Sequence, residues 1–594
     1  MKNKSKILTI SIDIALIAIL GFLVYSSSLN GEFIADDLHL VKDNVYIKDW
    51  RNLSGIFSKD IVAGSGKKWN SYRPLQMLTY MIDYSFGGLN PMGYHLSNVV
   101  LHILVAISLY WLVAIIFGQR LLALLTALIF VVFPPNTQAV AYISGRADPL
   151  AAFFMLLCFV LYLKNMHSGK ISVYMLCLFS YVLALLAKEN SLILPLLLLF
   201  YHYSFKKRCE LPKFLPIVVI ACFYVALRMT ILKPLLYNIA YPTTLLQRIP
   251  GFFVAMANYL RIMLAPVNLH AEYGNRLFSF SHPQALLGMA IVVFLFLVAW
   301  KKKHDNLILF AIGWFLITLL AQSNLYPLNA YMAEHWLYMP LMGMCLIAAR
   351  FLSWSVEVKR QKRAGCVFAV ILICFYSCLT FAQNSYWQDP LTFYKRTLKY
   401  VPDSAGAHNN LGLLYFGRGE HEKAIEQYKE ALRLQPHLAE LYNNLGVAYQ
   451  ALGEPKKAVD YYKRAIELEP AYTQAYNNMA NIYKAQGESA SAIELYKKAL
   501  ALGYPHAEIY NNLALAYIDI EDIEQAITFY EKALAADPSY APAYYNLAVA
   551  YFRNNKYSLA LEYCNKANEL GFDTSSLSKR LKLYQYQIRN SQDP

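Results

Sequence analysis

AGAHNNLGLLYFGRGEHEKAIEQYKEALRLQPHL (residues 405–438) runs straight into AELYNNLGVAYQALGEPKKAVDYYKRAIELEPAY (residues 439–472), and the two align without a gap. Three further blocks of the same 34-residue length begin at Thr473, Ala507 and Ala541. Tyrosine holds the eleventh place each time, at Tyr415, Tyr449, Tyr483, Tyr517 and Tyr551. Alanine holds the twentieth, at Ala424, Ala458, Ala492, Ala526 and Ala560, and the twenty-seventh, at Ala431, Ala465, Ala499, Ala533 and Ala567. The eighth place takes only Gly412, Gly446, Ala480, Ala514 and Ala548, and prolines close three blocks at Pro436, Pro470 and Pro538. Such a period marks one helix-pair unit stacked in series, in which small residues let two helices approach and rings fill the gaps between neighbours.

These positions resemble the tetratricopeptide repeat. The resemblance implies an α-solenoid of five repeats over 405–574, with a capping helix and tail over 575–594. The sixth place is always asparagine: Asn410, Asn444, Asn478, Asn512 and Asn546. In a repeat of this type the first helix of each pair lines the concave face, so these amides would form a ladder along a groove. An amide both donates and accepts, and so can grip an extended peptide backbone without reading side chains. The ladder is similar to that of the soluble O-linked N-acetylglucosamine transferases. The inert alternative is that the asparagines bond within their own repeats. Tyr442, Tyr476, Tyr510 and Tyr544, at the fourth place, read as packing residues.

The remaining two-thirds has a different character. The chain has 594 residues, 57% of them hydrophobic, and a mean hydropathy of +0.31, although the repeats are rich in Glu and Lys; the apolar excess therefore lies before them. Eleven segments read as membrane spans: about 7–29, 97–117, 121–142, 149–164, 171–187, 191–204, 212–229, 285–300, 306–322, 335–351 and 364–382. The net charge of +15 comes from runs beside these segments, MKNKSK at the start, KKR around Lys207, KKK at Lys301 and VKRQKR before Ala364. That placement is positive-inside anchoring rather than nucleic-acid binding. The first segment lacks a small-x-small cleavage site and reads as a retained helix. With the N-terminus in the cytoplasm, an odd number of spans delivers the repeats to the opposite side. A further stretch, 250–266, contains Asn258 and Arg261 and reads as interfacial or re-entrant. Eight of nine cysteines fall in the membrane part, which excludes a disulfide framework.

Polar clusters gather on the face opposite the basic runs. The first outer loop, about 30–96, opens with GEFIADDLHLVKDN, placing Asp36 and Asp37 just beyond the first helix. Adjoining carboxylates repel, and beside low-dielectric lipid one carries a raised pKa, suiting it to accept a proton from a hydroxyl. A solvated loop or helix cap is the inert reading of the pair. Further on come Arg73, then His95, Asn98 and His102, Arg146 and Asp148 in ISGRADPL, Lys188 and Glu189 in LLAKENS, and Glu334 and His335 in AYMAEHWLYMP. Ionisable groups near membrane depth face a cavity or one another, so one shared polar site is the economical reading. The alternative is that each pair terminates a helix.

The DD loop, YRPL, GYHLSN, GRAD, KEN, AEHWLY, the half-repeat SYWQDPLTFYKRTLKYVP and the repeats, in this order, resemble the transmembrane-and-tetratricopeptide O-mannosyltransferases, relatives of the protein O-mannosyltransferases with the GT-C fold. The resemblance covers nearly the whole chain. It implies an all-α architecture: a GT-C-like transmembrane domain over 1–384, a degenerate half-repeat linker over 385–404, then the solenoid. It further implies a polyprenyl-phosphate-linked sugar as donor and a protein hydroxyl as acceptor. Asp36 is then the base, and Asp37 positions the acceptor or tunes its neighbour. Arg73, His95, Arg146, Asp148, Lys188, Glu189, Glu334 and His335 form the pool for donor-phosphate or substrate contacts. The family pattern AER-x-LY departs here, with His335 in place of arginine, which shifts the phosphate role toward Arg146, Arg73 or Lys188. No His/Cys ligand spacing calls for a metal, and no cofactor is expected; a divalent ion between adjoining carboxylates is the disfavoured alternative. The expected location is a bacterial inner membrane with periplasmic repeats. A non-catalytic membrane scaffold and a transporter with a binding arm are the competing readings. A transporter would place ionisable residues mid-span rather than at one set of ends.

Overall fold

The computed structural model describes residues 2–67, 69, 71–230, 243–274, 276–323, 330–357, 362–503 and 506–590. Residues 358–361, in the last basic run, and 591–594, at the end of the expected tail, lie outside the described residues. Every regular element among the described residues is a helix. The chain divides into two compact units, Met1–Pro402 and Asp403–Pro594, so most of the 385–404 half-repeat folds with the first.

Among the described residues of the first unit, six helices are long and apolar enough to cross a membrane: Leu8–Asn30, Pro91–Phe117, Ile143–Ser168, Leu211–Met229, Pro283–Lys301 and Arg363–Trp387. All six fall on expected spans. Ile171–Ala187, Asn306–Leu320 and Pro340–Val356 are shorter apolar helices, and Leu194–Ser204 has only 11 residues. The expected count of eleven, several of whose segments are short, is not confirmed by helix length and composition among the described residues. The helix Leu245–Leu264, covering the stretch expected to be re-entrant, is not among the apolar six. Ile143–Ser168 is 72% buried and Pro283–Lys301 only 11%, which puts the former at the centre and leaves the latter's apolar faces for lipid.

The largest departure lies at 121–142, expected as one span. The helix Arg120–Val132 is bent by 57° against the following turns over Pro134–Val140. Pro134 and Pro135 cause it, because a residue before proline is driven out of helical geometry and Phe133 takes an extended backbone (φ −76°, ψ 123°). The chain then continues as short turns to Arg146. An irregular backbone at that depth needs internal partners. Asn136 Nδ2 donates to Phe130 O at 2.7 Å, and Asn98, on the helix Pro91–Phe117, donates to Val140 O and Tyr142 O at 3.2 and 3.0 Å.

The second unit consists of helix pairs in the expected register, from Ala405–Gly417 with His421–Leu434 to Ala541–Arg553 with Tyr557–Glu569, and then Ser575–Asn590. The eighth place is small because the paired helix lies against it: a Cβ on Gly446 would come within 2.4 Å of the buried Tyr462 ring. The alanines of the twentieth and twenty-seventh places are fully buried.

Candidate functional site

The first outer loop leaves the membrane helix through a short turn, Ser26–Asn30, and reaches the two aspartates over a strained step at Ala35, whose φ is +47°. A non-glycine residue in the left-handed region costs about 1 kcal/mol. The step turns the two neighbours apart. Asp37 is fully buried and accepts from Ile34 N–H at 3.1 Å, from Ser144 N–H at 2.8 Å and from the Ser144 hydroxyl. Burial pushes its carboxyl up to about 7 against those hydrogen bonds. It is a clasp between loop and GRAD turn, and its oxygens are spent on the protein. Gly145 makes the clasp possible, since a Cβ there would lie 2.5 Å from Gln138 O.

Asp36 points the other way and is exposed, while protein encloses it deeply enough for desolvation to raise its carboxyl. A hydrogen bond from Tyr142 and the charges of Arg73 and Lys67 oppose that rise, and Glu272 adds to it. The Tyr142 hydroxyl also accepts from Asp36 N–H at 2.9 Å, and the Tyr142 ring stacks on Trp387 at 5.3 Å. Asp36 is thus a fixed, water-accessible carboxylate with two cations near it.

The KEN turn joins two other motifs. Lys188 Nζ lies 2.7 Å from Asp148 of GRAD, both buried, and Glu189 lies 3.1 Å from Arg73 of YRPL. Desolvation would raise the Glu189 carboxyl, but Arg73 outweighs it and holds the group at about 2. Arg73 keeps its side chain 25% exposed and acts on Asp36. Arg146 does not have that freedom: its side chain is 0% exposed. Its guanidinium meets Asp83 at 2.5 Å, Asn98 Oδ1 at 2.6 Å, Thr79 Oγ1 at 3.2 Å and Tyr94 O at 2.7 Å, with the Tyr80 ring 4.5 Å below. The donors of Arg146, expected as a phosphate contact, are engaged with protein groups that hold the loop. Lys188 is likewise taken by Asp148. His95 is buried at 1% exposure beside this cluster.

Glu334 and His335 occupy the short turn Glu334–Leu337, ahead of the helix Pro340–Val356. Glu334 is fully buried, and its Oε1 accepts from His270 N–H at 2.6 Å and from the Tyr273 hydroxyl at 2.7 Å. Burial raises this carboxyl to about 7. Burial likewise lowers His335 to about 4. The imidazole is therefore neutral near neutral pH and cannot replace the arginine of the family pattern as a cation. The half-repeat closes this side. Glu32 N–H donates to Gln388 O at 3.0 Å, Tyr394 hydrogen-bonds the Ala35 backbone, and the Tyr400 ring stacks on His270 at 4.7 Å.

Lys67, Tyr142 and Glu272 around Asp36 escaped the sequence reading. Lys67 sits in the middle of the long loop, where its Nζ lies 2.9 Å from His39 Nε2, and no motif marks it. Tyr142 was hidden inside an apparent span. In the repeats, three sixth-place asparagines bond across to the fifth-place asparagine of the repeat before. Asn444, Asn478 and Asn546 donate to Asn409, Asn443 and Asn511 of the preceding repeat at 3.0, 3.0 and 2.9 Å. Between them Asn477 Oδ1 is buried without a hydrogen-bond partner among the described residues, a gap in the series. Asn410 and Asn512 are half-buried like the other sixth-place asparagines, and each sixth-place amide that donates across keeps its oxygen and a second N–H. Tyr442 packs against Tyr461, which stacks on Tyr449 at 5.3 Å.

Comparison with known proteins adds the following. Tetratricopeptide-repeat models match residues 403–471, 471–539 and 511–571. The protein O-mannosyl-transferase F38B6.6 of Caenorhabditis elegans is 26% identical over 66% of this chain and 58% of its own length. The human protein O-mannosyl-transferase TMTC1 is 27% identical over 69% of this chain and 54% of its own. The chain is similar to these protein O-mannosyl-transferases. It spans little more than half the length of these relatives. The crystal structure of MamA aligns with 27% of this chain and 94% of its own at 28% identity and a TM-score of 0.25.

Proposed function

We propose that this chain is an integral-membrane glycosyltransferase that moves a mannose-like hexose from a polyprenyl phosphate to a hydroxyl of a protein acceptor. The observation that carries this reading is Asp36: exposed, raised by desolvation, held by Tyr142, and within reach of the charges of Arg73 and Lys67, in a chain similar to O-mannosyl-transferases. In the proposed step the acceptor oxygen attacks the anomeric carbon, and Asp36 takes the hydroxyl proton. The bond from the anomeric carbon to the phosphate oxygen breaks, and its electron pair leaves on the polyprenyl phosphate. A single displacement inverts the anomeric centre. Arg73 and Lys67 are assigned to the departing phosphate: Arg73 pairs with Glu189 yet keeps its side chain 25% exposed, and Lys67 is exposed, whereas Arg146 and Lys188 are buried in their ion pairs. The ionic layer beneath fixes the loop so that the attacking and leaving groups meet in line.

The repeats are assigned to recruiting the acceptor, with the remaining amide groups of Asn410, Asn444, Asn478, Asn512 and Asn546 holding an extended backbone. The basic runs orient the chain with its N-terminus in the cytoplasm and its repeats on the face bearing Asp36, in our reading the periplasmic side of a bacterial inner membrane. Mass spectrometry of membrane and exported proteins from cells with and without the chain tests this: hexose on serine or threonine that vanishes with the chain supports it, and identical glycoprotein profiles refute it.

A further inference from the structure

We infer that Arg228 and Tyr224, near the C-terminal end of the helix Leu211–Met229, complete with Arg73 a clamp for the phosphate of the polyprenyl donor, which is thus held from a membrane helix as well as from the first outer loop. The inference rests on the glycosyltransferase reading and names where its donor headgroup sits.

Two helices rise side by side to this place. Near their N-terminal ends Ile171–Ala187 and Leu211–Met229 are joined by Tyr174, whose hydroxyl donates to Lys213 O at 2.8 Å. Fifteen residues beyond that bond the first path reaches Glu189 and the second Arg228. There Arg228 Nη1 approaches Tyr72 O at 3.5 Å, and its Cζ lies 5.9 Å from the Tyr72 ring. Tyr72 is buried, with its own hydroxyl tied to Phe57 O at 3.0 Å, and the residue after it is Arg73, paired with Glu189 at 3.1 Å. Tyr224 lies one helical turn before Arg228, on the same face. It is only 6% exposed, and its hydroxyl has no hydrogen-bond partner among the described residues.

A cation close to lipid is costly without an anion beside it. Arg120, Arg146 and Lys188 each meet a carboxylate, those of Asp13, Asp83 and Asp148. Arg228 is half-buried, and among the described residues it has no carboxylate within ion-pair distance. Its contact with Tyr72 O is long, a loose tether that leaves guanidinium donors for a bidentate phosphate contact. A buried hydroxyl without a partner is likewise costly, and donating to a phosphate oxygen would remove that cost. Phe223 and Met229, the chain neighbours of the two residues, are 69% and 67% exposed. That apolar flank suits the first isoprene units of a lipid and offers nothing to a free phosphate.

The test uses the full chain in phosphatidylcholine nanodiscs with sugar-free polyprenyl phosphate as the binding probe, titrated by native mass spectrometry. Alongside it, transfer from polyprenyl-phosphate mannose to a serine/threonine peptide gives the KM of donor and peptide. Arg228→Gln should weaken probe binding and raise the donor KM, each by roughly tenfold or more, and leave the peptide KM unchanged. Tyr224→Phe should weaken both by roughly three- to tenfold. Without polyprenyl phosphate it should melt at or above wild type, because it removes an unsatisfied hydroxyl, whereas a merely structural hydroxyl would lower the melting temperature on removal. Inorganic phosphate, and phosphatidylglycerol added to the nanodisc, should displace the probe poorly. Equal competition by either one, or wild-type affinity for the probe in both variants, overturns the inference alone. Probe binding that depends on Arg228 in a wild-type protein that transfers no sugar leaves the clamp standing and overturns the glycosyltransferase reading.

Discussion

Asp36 and Asp37 are covalent neighbours with opposite fates, and the left-handed backbone at Ala35 together with Ser144 decides which is which. Asp37 has a testable consequence. Its folded-state pKa of about 7 lies above the value of about 3.9 for an unfolded aspartate, so the folded state binds this proton more tightly. The associated stability is complete below the unfolded value and is lost as pH rises through about 7. Burial raises Glu334 to about 7 as well, with the same sign. Buried histidines such as His335, lowered to about 4, contribute with the opposite sign below about 6.5. The readout is therefore a difference: the melting temperature of wild type relative to Asp37→Asn should decline between about pH 5 and pH 8. Equal slopes for wild type and Asp37→Asn would remove Asp37 from the account. At this scale the sequence was half legible. The DD pair was visible, but which aspartate faces outward depends on a backbone angle that no residue type announces. Arg146 drew notice as a cation near membrane depth, and the same physics that makes such a charge costly has filled its donors with protein partners. Lys67 and Glu272 reach Asp36 from loops without periodicity.

Among the elements, KEN does the most joining: one residue secures GRAD and the next secures YRPL. Truncating one partner of a buried ion pair leaves the other charge uncompensated, at about 3–5 kcal/mol. Lys188→Met should thus lower the melting temperature sharply, and Asp148→Asn placed on top should restore much of it. A Lys188→Met protein that melts with wild type, or a double variant that melts below the single, contradicts the pairing. The broken segment after Phe133 carries what hydropathy alone does not show. Its residues are apolar enough to be read as a span, yet Pro134 and Pro135 stop the helix, and Gln138, Tyr142 and Ser144 become the platform beneath the DD loop. The short Leu194–Ser204 helix shows the same limit, because apolar composition reports burial without separating lipid from protein.

For the molecule as a whole, the repeat unit was legible almost residue by residue, since each repeat packs only on its neighbours and leaves a periodic imprint. The membrane unit was legible as a class and in the identity of its motifs, while its span count and the division of its charges depended on contacts between segments far apart in sequence. Under the proposed function, one unit presents a polypeptide and the other activates its hydroxyl beside a lipid-borne sugar. The most direct measurement is glycan occupancy of acceptor proteins in cells or nanodiscs carrying full-length Asp36→Asn, alongside acceptor binding by the same full-length protein. Loss of a positioned general base should reduce transfer by about 10²–10⁴-fold while acceptor binding and melting stay at wild-type values. Occupancy equal to wild type in Asp36→Asn would contradict the assignment of Asp36 and the catalytic reading built on it.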